Sequence, residues 1–351
     1  MKKFLLAPVM MLLLAGIVCS VSVQPATGKT IELTYNIPCQ GPQQPGVYYP
    51  TDYIAKEVGK RTDGRVKVTV FWGATLAPPP ETYRAVVKGV CDIGQSNAGY
   101  TKGLFPVSDA CTLPLGFPNA QVQGHVITDF MAKFKPKEYD DVVLLSVGSP
   151  PPFLIGTSKK PVRSFDDFNG LTLRVSGATV AELVKGLGGV PKLANINEVY
   201  ELLSKGVVDG IYTALEVYPA FKFHEIVKYV TDVRFVAPGA VSYTVMNKNS
   251  WNKISPKDQK IIMDLMDETL DLRGEKWDEA DRSGKEAFLA APGREYITLP
   301  PAEKAKIKAV AQKTIDAWVK DMTAKGYPAQ DYVDYVKERV VYWSDKLGVE
   351  M

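Results

Sequence analysis

The sequence predicts a two-domain α/β protein whose chain crosses between the domains. Strand-like and helix-like periodicities alternate over most of its 351 residues, the pattern of packed α/β layers. Pro150, Pro151 and Pro152 break that alternation near the middle, and a triple proline does not lie inside a sheet. Finally, a helical pattern starts at Ser255 and runs past Trp277 toward Ala290, long enough to lie across two domains.

The elements follow in order. IELTY at 31–35 is a first strand, followed by a Gln-, Gly- and Pro-rich loop and a helix to about Arg61. Thr62, Asp63 and Gly64 turn the chain into a half-buried strand, in which Val66, Val68 and Val70 alternate with Arg65, Lys67 and Thr69. A helix over 81–88, a strand at CDIGQ (91–95), a helix over 121–134 and a strand at 142–147 complete the first half. FLIGT (153–157) opens the second half. In FNGLTLRVSG (168–177), Leu171, Leu173 and Val175 alternate as a core-facing set and leave Thr172 and Arg174 on the opposite face. Val180, Leu183, Val184 and Leu187 fall at helical spacing, and Gly188 and Gly189 stop that helix. A helix over 197–205 leads into VVDGIY, and the strand SYTVMN (242–247) returns to the first domain. Ser255, Pro256 and Asp258 form a strong helix start. Helices over 301–324 and 328–347 close the chain. The expected division is lobe I at 27–151 plus 240–276, and lobe II at 152–239 plus 277–351.

Residues 1–26 read as a secretory signal: Lys2 and Lys3 precede an apolar run from Phe4 to Val18, the length of a signal core and short for a bilayer span. The expected location is the periplasm, with cleavage between about residues 20 and 26. Lipidation would use Cys19, but Ile17 and Val18 before it are larger than such a site prefers. The remaining chain of about 325 residues exceeds one ordinary core. Without Lys2 and Lys3 the formal charge of +3 falls to about +1, and the charges are interspersed, which argues against nucleic acid or anionic lipid as a partner. Cys39, Cys91 and Cys111 survive export. Two of them would pair in an oxidising compartment or all three would stay buried and free, and spacing does not choose.

Catalytic and cofactor signatures are sparse. His125 and His224 stand apart from each other and from the cysteines, without zinc-ligand spacing. GQSNAG (94–99) has G-x-S-x-x-G spacing and misses the nucleophile-elbow pattern, so a hydrolase using Ser96 is the weaker alternative. The G-x-G at Gly186 and Gly188 follows a helix, the wrong side for a dinucleotide. No cofactor and no metal are expected. A guanidinium in an otherwise buried strand is the exception: Arg174 ends its strand just before Ser176 and Gly177 begin a helix, and open α/β sheets bind ligands beyond the carboxyl ends of their strands.

In order along the chain stand TDGRVKV, ETYRAVVKGVCDIG, GLFP, LPLGF, TSKKPVRSFDDFNGLTLRV, EVYELLSKGVVDG, KYVTD and VMNKNSWNKISPKDQK. From about Ile31 to Ile262 this series resembles the substrate-binding proteins of tripartite ATP-independent periplasmic (TRAP) transporters, the DctP family. The segments at 157–175 and 198–210 are specific in combination; the tail after about 290 matches only in character. The resemblance implies a two-lobed periplasmic binding protein, type II-like, with crossing strands and a long domain-spanning helix, closing on a ligand in the cleft. It implies a receptor rather than an enzyme, monomeric, that delivers a small organic carboxylate to a TRAP membrane permease. An ATP-driven importer or a sensor is the alternative recipient.

Family positions map onto this chain residue by residue. The arginine of the LRV motif clamps the ligand carboxylate, and Arg174 holds that position. Leu154, beside Phe153, falls where sialic-acid-type relatives place a second arginine. Thr213 replaces an asparagine after VDG. Asn97, with Ser96 before it, takes the polar position after DIG. Glu216 is expected to accept from a hydroxyl or amine, and Trp72 to stack on the ligand. Together these substitutions imply a monocarboxylate with an apolar or aromatic body.

Overall fold

In the computed structural model, which describes residues 29–350, two mixed sheets form the cores of two lobes. The signal segment and Cys19 lie outside the described residues.

The first lobe is built from β1 (Ile31–Asn36), α1 (Pro45–Arg61), β2 (Val66–Phe71), α2 (Thr82–Val87), β3 (Ile93–Asn97), α3 (Ala120–Phe134) and β4 (Val142–Gly148). Through Ser149–Pro152 the chain enters the second lobe, with β5 (Leu154–Thr157), β6 (Thr172–Val175), α4 (Ala178–Gly186), β7 (Val190–Leu193), α5 (Val199–Ser204), β8 (Gly210–Thr213), α6 (Val217–Ala220) and β9 (Tyr229–Asp232). It returns through β10 (Ser242–Asn247) and α7 (Lys248–Asn252). The end of the chain comprises α8 (Pro256–Ala290), β11 (Glu295–Thr298), α9 (Pro301–Ala324) and α10 (Ala329–Leu347).

The first sheet has the order β2-β1-β3-β10-β4, and the returning β10 runs antiparallel to both neighbours. The second has the order β11-β9-β5-β8-β6-β7. Each sheet is therefore completed by chain that has visited the other lobe, so β4 to β5 and β9 to β10 are the crossings. Helix α8, 35 residues long, adds a third connection. Ser255 caps it by accepting from the Asp258 amide, and Pro256 needs no amide partner at its first position. Its first half buries Ile262, Leu265 and Met266 in the first lobe, and its far end buries Phe288 in the second. Among the described residues no helix is long and apolar enough to cross a membrane.

Two features differ from the sequence reading. Helix α10, expected in lobe II, buries Tyr332, Val336 and Val340 beside Phe130 in the first lobe's core. Its apolar face has helical spacing, and spacing names no partner. Strands β7, β9 and β11 were not anticipated. Each has four residues, two lie at sheet edges, and Pro191 interrupts β7, so none carries a period-2 signal long enough to read. Cys39, Cys91 and Cys111 are free and buried.

Candidate functional site

The cleft between the lobes encloses about 760 Å³, counting the solvent at its mouth. The first lobe contributes Cys39, Gln44, Val47, Gln95, Ser96, Asn97, Tyr100 and Ser242. The second contributes Phe153, Arg174, Ser176, Ile196, Thr213, Glu216 and Val217, and α8 contributes Trp277. Asn97, Thr213 and Arg174 sit at or near the C-terminal ends of β3, β8 and β6, where open α/β sheets present their ligand sites.

Arg174 is the most unusual of these groups. Strand β6 is covered on both faces: Leu173 and Val175 join the core under α4, while Arg174 faces the cleft and is only 1% exposed. Its Nε donates to the Ala194 carbonyl at 2.9 Å. Its buried Nη2 has no partner, and no carboxylate lies within ion-pair distance of it among the described residues. Burial lowers its pKa, and Tyr100 and Glu198 oppose that shift. A guanidinium held fixed, dry and short of an acceptor is an anion site in waiting, because leaving a buried donor unmatched costs about 1–3 kcal/mol.

The second titratable group is Glu216. It is 5% exposed, and burial together with the charge of Asp281 pushes its pKa up to about 8. Burial therefore favours its uncharged form, which can donate as well as accept. Cys39, across the cleft, has its thiol pushed up to about 12 by burial and stays protonated. Gln95 donates to Ser242 Oγ at 3.2 Å and leaves its Oε1 unmatched.

Of the residues singled out in the sequence, Arg174, Asn97, Ser96, Phe153, Thr213 and Glu216 meet in the cleft. Leu154 and Trp72 do not. Leu154 points to the far face of its sheet and packs with Val199, Ile211 and Phe288, because neighbouring residues on a strand face opposite ways. Trp72 packs on Tyr48, with ring centroids 4.8 Å apart, against the Leu33 cluster. The cleft's tryptophan is Trp277, which the sequence reading used only as a landmark. An aromatic amid charged residues on a long helix was the available signal. Glycines make room for its ring: a Cβ on Gly46 would fall 2.1 Å from its Cδ1, and one on Gly148 would fall 3.4 Å from its Cζ3. Tyr100, Gln44 and Gln95 were also missed, since polar residues around loops carry no periodicity.

The lobes touch at the rim. Thr112 and Thr179 hydroxyls lie 2.7 Å apart, Gln40 donates to Asn197 at 3.4 Å, and a Cβ on Gly99 would stand 2.8 Å from the Ser176 carbonyl oxygen. Among the described residues no cluster of three or more His, Cys, Asp or Glu is placed to hold a metal.

Comparison with known proteins places the chain. The family model for the bacterial extracellular solute-binding protein, family 7, matches residues 42–321. A solute-binding protein of Verminephrobacter eiseniae is 29% identical over 252 residues, 70% of this chain and 73% of that one. A TRAP periplasmic solute-binding protein from Desulfovibrio salexigens, solved as an open complex, is 30% identical with a TM-score of 0.78, covering 91% of this chain and 98% of its own. A TRAP solute-binding protein from Rhodoferax ferrireducens, solved with copurified benzoate, is 25% identical with a TM-score of 0.84, covering 91% and 100%. Two lobes crossed by strands and a long helix, a cleft with a buried arginine, and these matches together say that the chain belongs to the bacterial extracellular solute-binding proteins of family 7, the TRAP solute-binding proteins.

Proposed function

We propose that this protein is a periplasmic receptor that captures a small organic monocarboxylate between its lobes and delivers it to an ion-gradient-driven TRAP membrane permease. The observation that carries this reading is Arg174: a buried guanidinium with Nη2 unmatched, lining a cleft whose other walls include Val47, Phe153, Ile196, Val217 and Trp277. A planar fork pairs both oxygens of one carboxylate and so fixes orientation as well as affinity. Among the described residues no second cationic side chain lines the cleft, which favours one carboxylate and an apolar remainder over a dicarboxylate. Benzoate, held by the Rhodoferax relative, has that form.

Capture needs no bond making. A ligand that contacts both lobes stabilises the closed arrangement through contacts absent from the open one. A hydrolase using Ser96 lacks a base: Ser96 donates to the Pro79 carbonyl at 2.7 Å, while His125 pairs with Asp271 at 2.7 Å and His224 lies 3.1 Å from the Tyr218 carbonyl.

Mass spectrometry of small molecules released on denaturing the purified protein, followed by thermal-shift ranking of carboxylic acids, tests the reading. A monocarboxylate is expected at the top, and saturation at a hundred times its Kd adds about 2.7 kcal/mol. A dicarboxylate or sugar acid ranked first would contradict it.

A further inference from the structure

We infer that Glu216 is a second polar anchor of the cleft, donating a hydrogen bond to an uncharged hydroxyl of the ligand, so that the preferred ligands are hydroxylated aromatic monocarboxylates. This rests on the reading of Arg174 as the carboxylate clamp and extends it to the rest of the ligand.

The geometry carries the inference. Glu216 precedes α6 and lines the main cleft as well as a neighbouring crevice between α8 and residues 42–49, where a loop enters α1, so it stands where the ligand site meets a second opening. No basic side chain pairs with its carboxyl and no described side chain or backbone amide hydrogen-bonds it, although it is nineteen-twentieths buried. The backbone beneath it is fixed to the long helix. Asp281 accepts from the Leu215 amide at 2.9 Å, and Gly284 lets α8 come so close that an added Cβ would stand 2.4 Å from the Leu215 carbonyl oxygen. A carboxyl so positioned is pre-organised to meet a ligand atom rather than to relax onto protein.

Its charge state follows from the groups around it. Asp281 on α8 repels a second negative charge. Lys276, the cation on the crevice wall, is engaged with Glu279 at 2.7 Å. Cys39 in the facing loop stays a neutral thiol. A neutral carboxyl offers a ligand hydroxyl both a donor and an acceptor. A site built to bond a hydroxyl discriminates strongly against the analogue without one, because its own polar group is then left unmatched.

The experiment is calorimetry on ligand-stripped protein with benzoate, phenylacetate and their mono-hydroxylated isomers, in wild type, Glu216→Gln and Glu216→Leu. At least one hydroxylated isomer is expected to bind wild type ten-fold or more tighter than its parent. Glu216→Leu should bring the two within three-fold of each other, and Glu216→Gln should keep most of the preference. Should the leucine variant fail to fold, Glu216→Ala takes its place with the same expectation. Parents binding as tightly as every isomer, a preference unchanged once the carboxyl is removed, or a preference lost in Glu216→Gln, would overturn the inference while leaving the Arg174 reading intact. Binding of neither parents nor isomers to wild type would overturn the inference, and equal binding of the top-ranked carboxylic acid by wild type and Arg174→Met would overturn the Arg174 reading as well.

Discussion

Replacing Arg174 by methionine separates binding from folding more sharply than any other change. The guanidinium is 1% exposed, donates from Nε to Ala194 O at 2.9 Å, and leaves Nη2 unmatched. Removing an unmatched buried donor gains about 1–3 kcal/mol, and losing the bond to Ala194 gives back about 1 kcal/mol. Buried charged groups replaced by apolar residues of similar volume commonly leave a protein equally or more stable. Ligand-free Arg174→Met should therefore melt up to several degrees above wild type, at roughly 2–4 °C per kcal/mol for a chain of this class. Binding should move the other way. Loss of one partner of a desolvated charge pair costs about 2–5 kcal/mol, a roughly 30-fold to several-thousand-fold weaker Kd. Scanning calorimetry of the ligand-free proteins and titration calorimetry with the carboxylic acid ranked first by thermal shift read both effects. A ligand-free variant that melts more than about 4 °C below wild type, or that binds within three-fold of it, would refute the reasoning.

Three further outcomes follow from the same geometry. Gly99→Ala sets a methyl 2.8 Å from the Ser176 oxygen and 3.3 Å from Gly177 Cα; it should hold the lobes apart and weaken ligand binding ten-fold or more, and affinity within two-fold of wild type would sink that account of closure. Gly46→Ala gains at most about 1 kcal/mol of helix propensity. The added carbon would stand 2.1 Å and 2.3 Å from Trp277 Cδ1 and Cγ, and overpacking of that kind costs about 1–3 kcal/mol, so the clash wins and the melting temperature should drop with a shift in tryptophan emission; a variant as stable as wild type would contradict it. Burial raises Glu216 to about 8, Asp109 to about 7, and Asp278 and Asp281 to about 6. Each binds its proton more tightly folded than unfolded, so this contribution is complete below the ordinary carboxyl pKa near 4 and is lost as pH rises through 6 to 8. The depressed Asp258, paired with Arg65, contributes fully above the ordinary carboxyl pKa near 4 and loses its contribution only in acid, so it is constant from pH 5 to pH 9 and does not compensate. Melting temperature should fall from pH 5 to pH 9; a flat or rising profile would count against these burials.

Long periodic elements were legible because their burial is periodic. Helix α8 declared itself through Ser255, Pro256 and Asp258 and ends at Ala290 as its spacing implied. Arg174 was legible for the opposite reason: it breaks the apolar pattern of a strand buried on both faces. Tertiary partnership was not legible. Nothing in the sequence of α10 says that Tyr332 meets Phe130. Leu154 and Trp72 were assigned from family positions, and each turned out to face a core. One strand residue decides which side of a sheet a neighbour takes, so an assignment shifted by one position exchanges Leu154 for Phe153. Trp277 reaches the cleft because Gly46 and Gly148, far away in sequence, leave it space, and no local pattern records such a juxtaposition.

A crystal structure of the protein with the carboxylic acid that ranks first in the thermal-shift series tests the central claim most directly. The account expects a single carboxylate with its oxygens about 2.7–2.9 Å from the terminal nitrogens of Arg174, and an apolar or aromatic body beside Phe153 and Trp277. A ligand whose carboxylate lies elsewhere in the cleft, with Arg174 still unmatched, would contradict it.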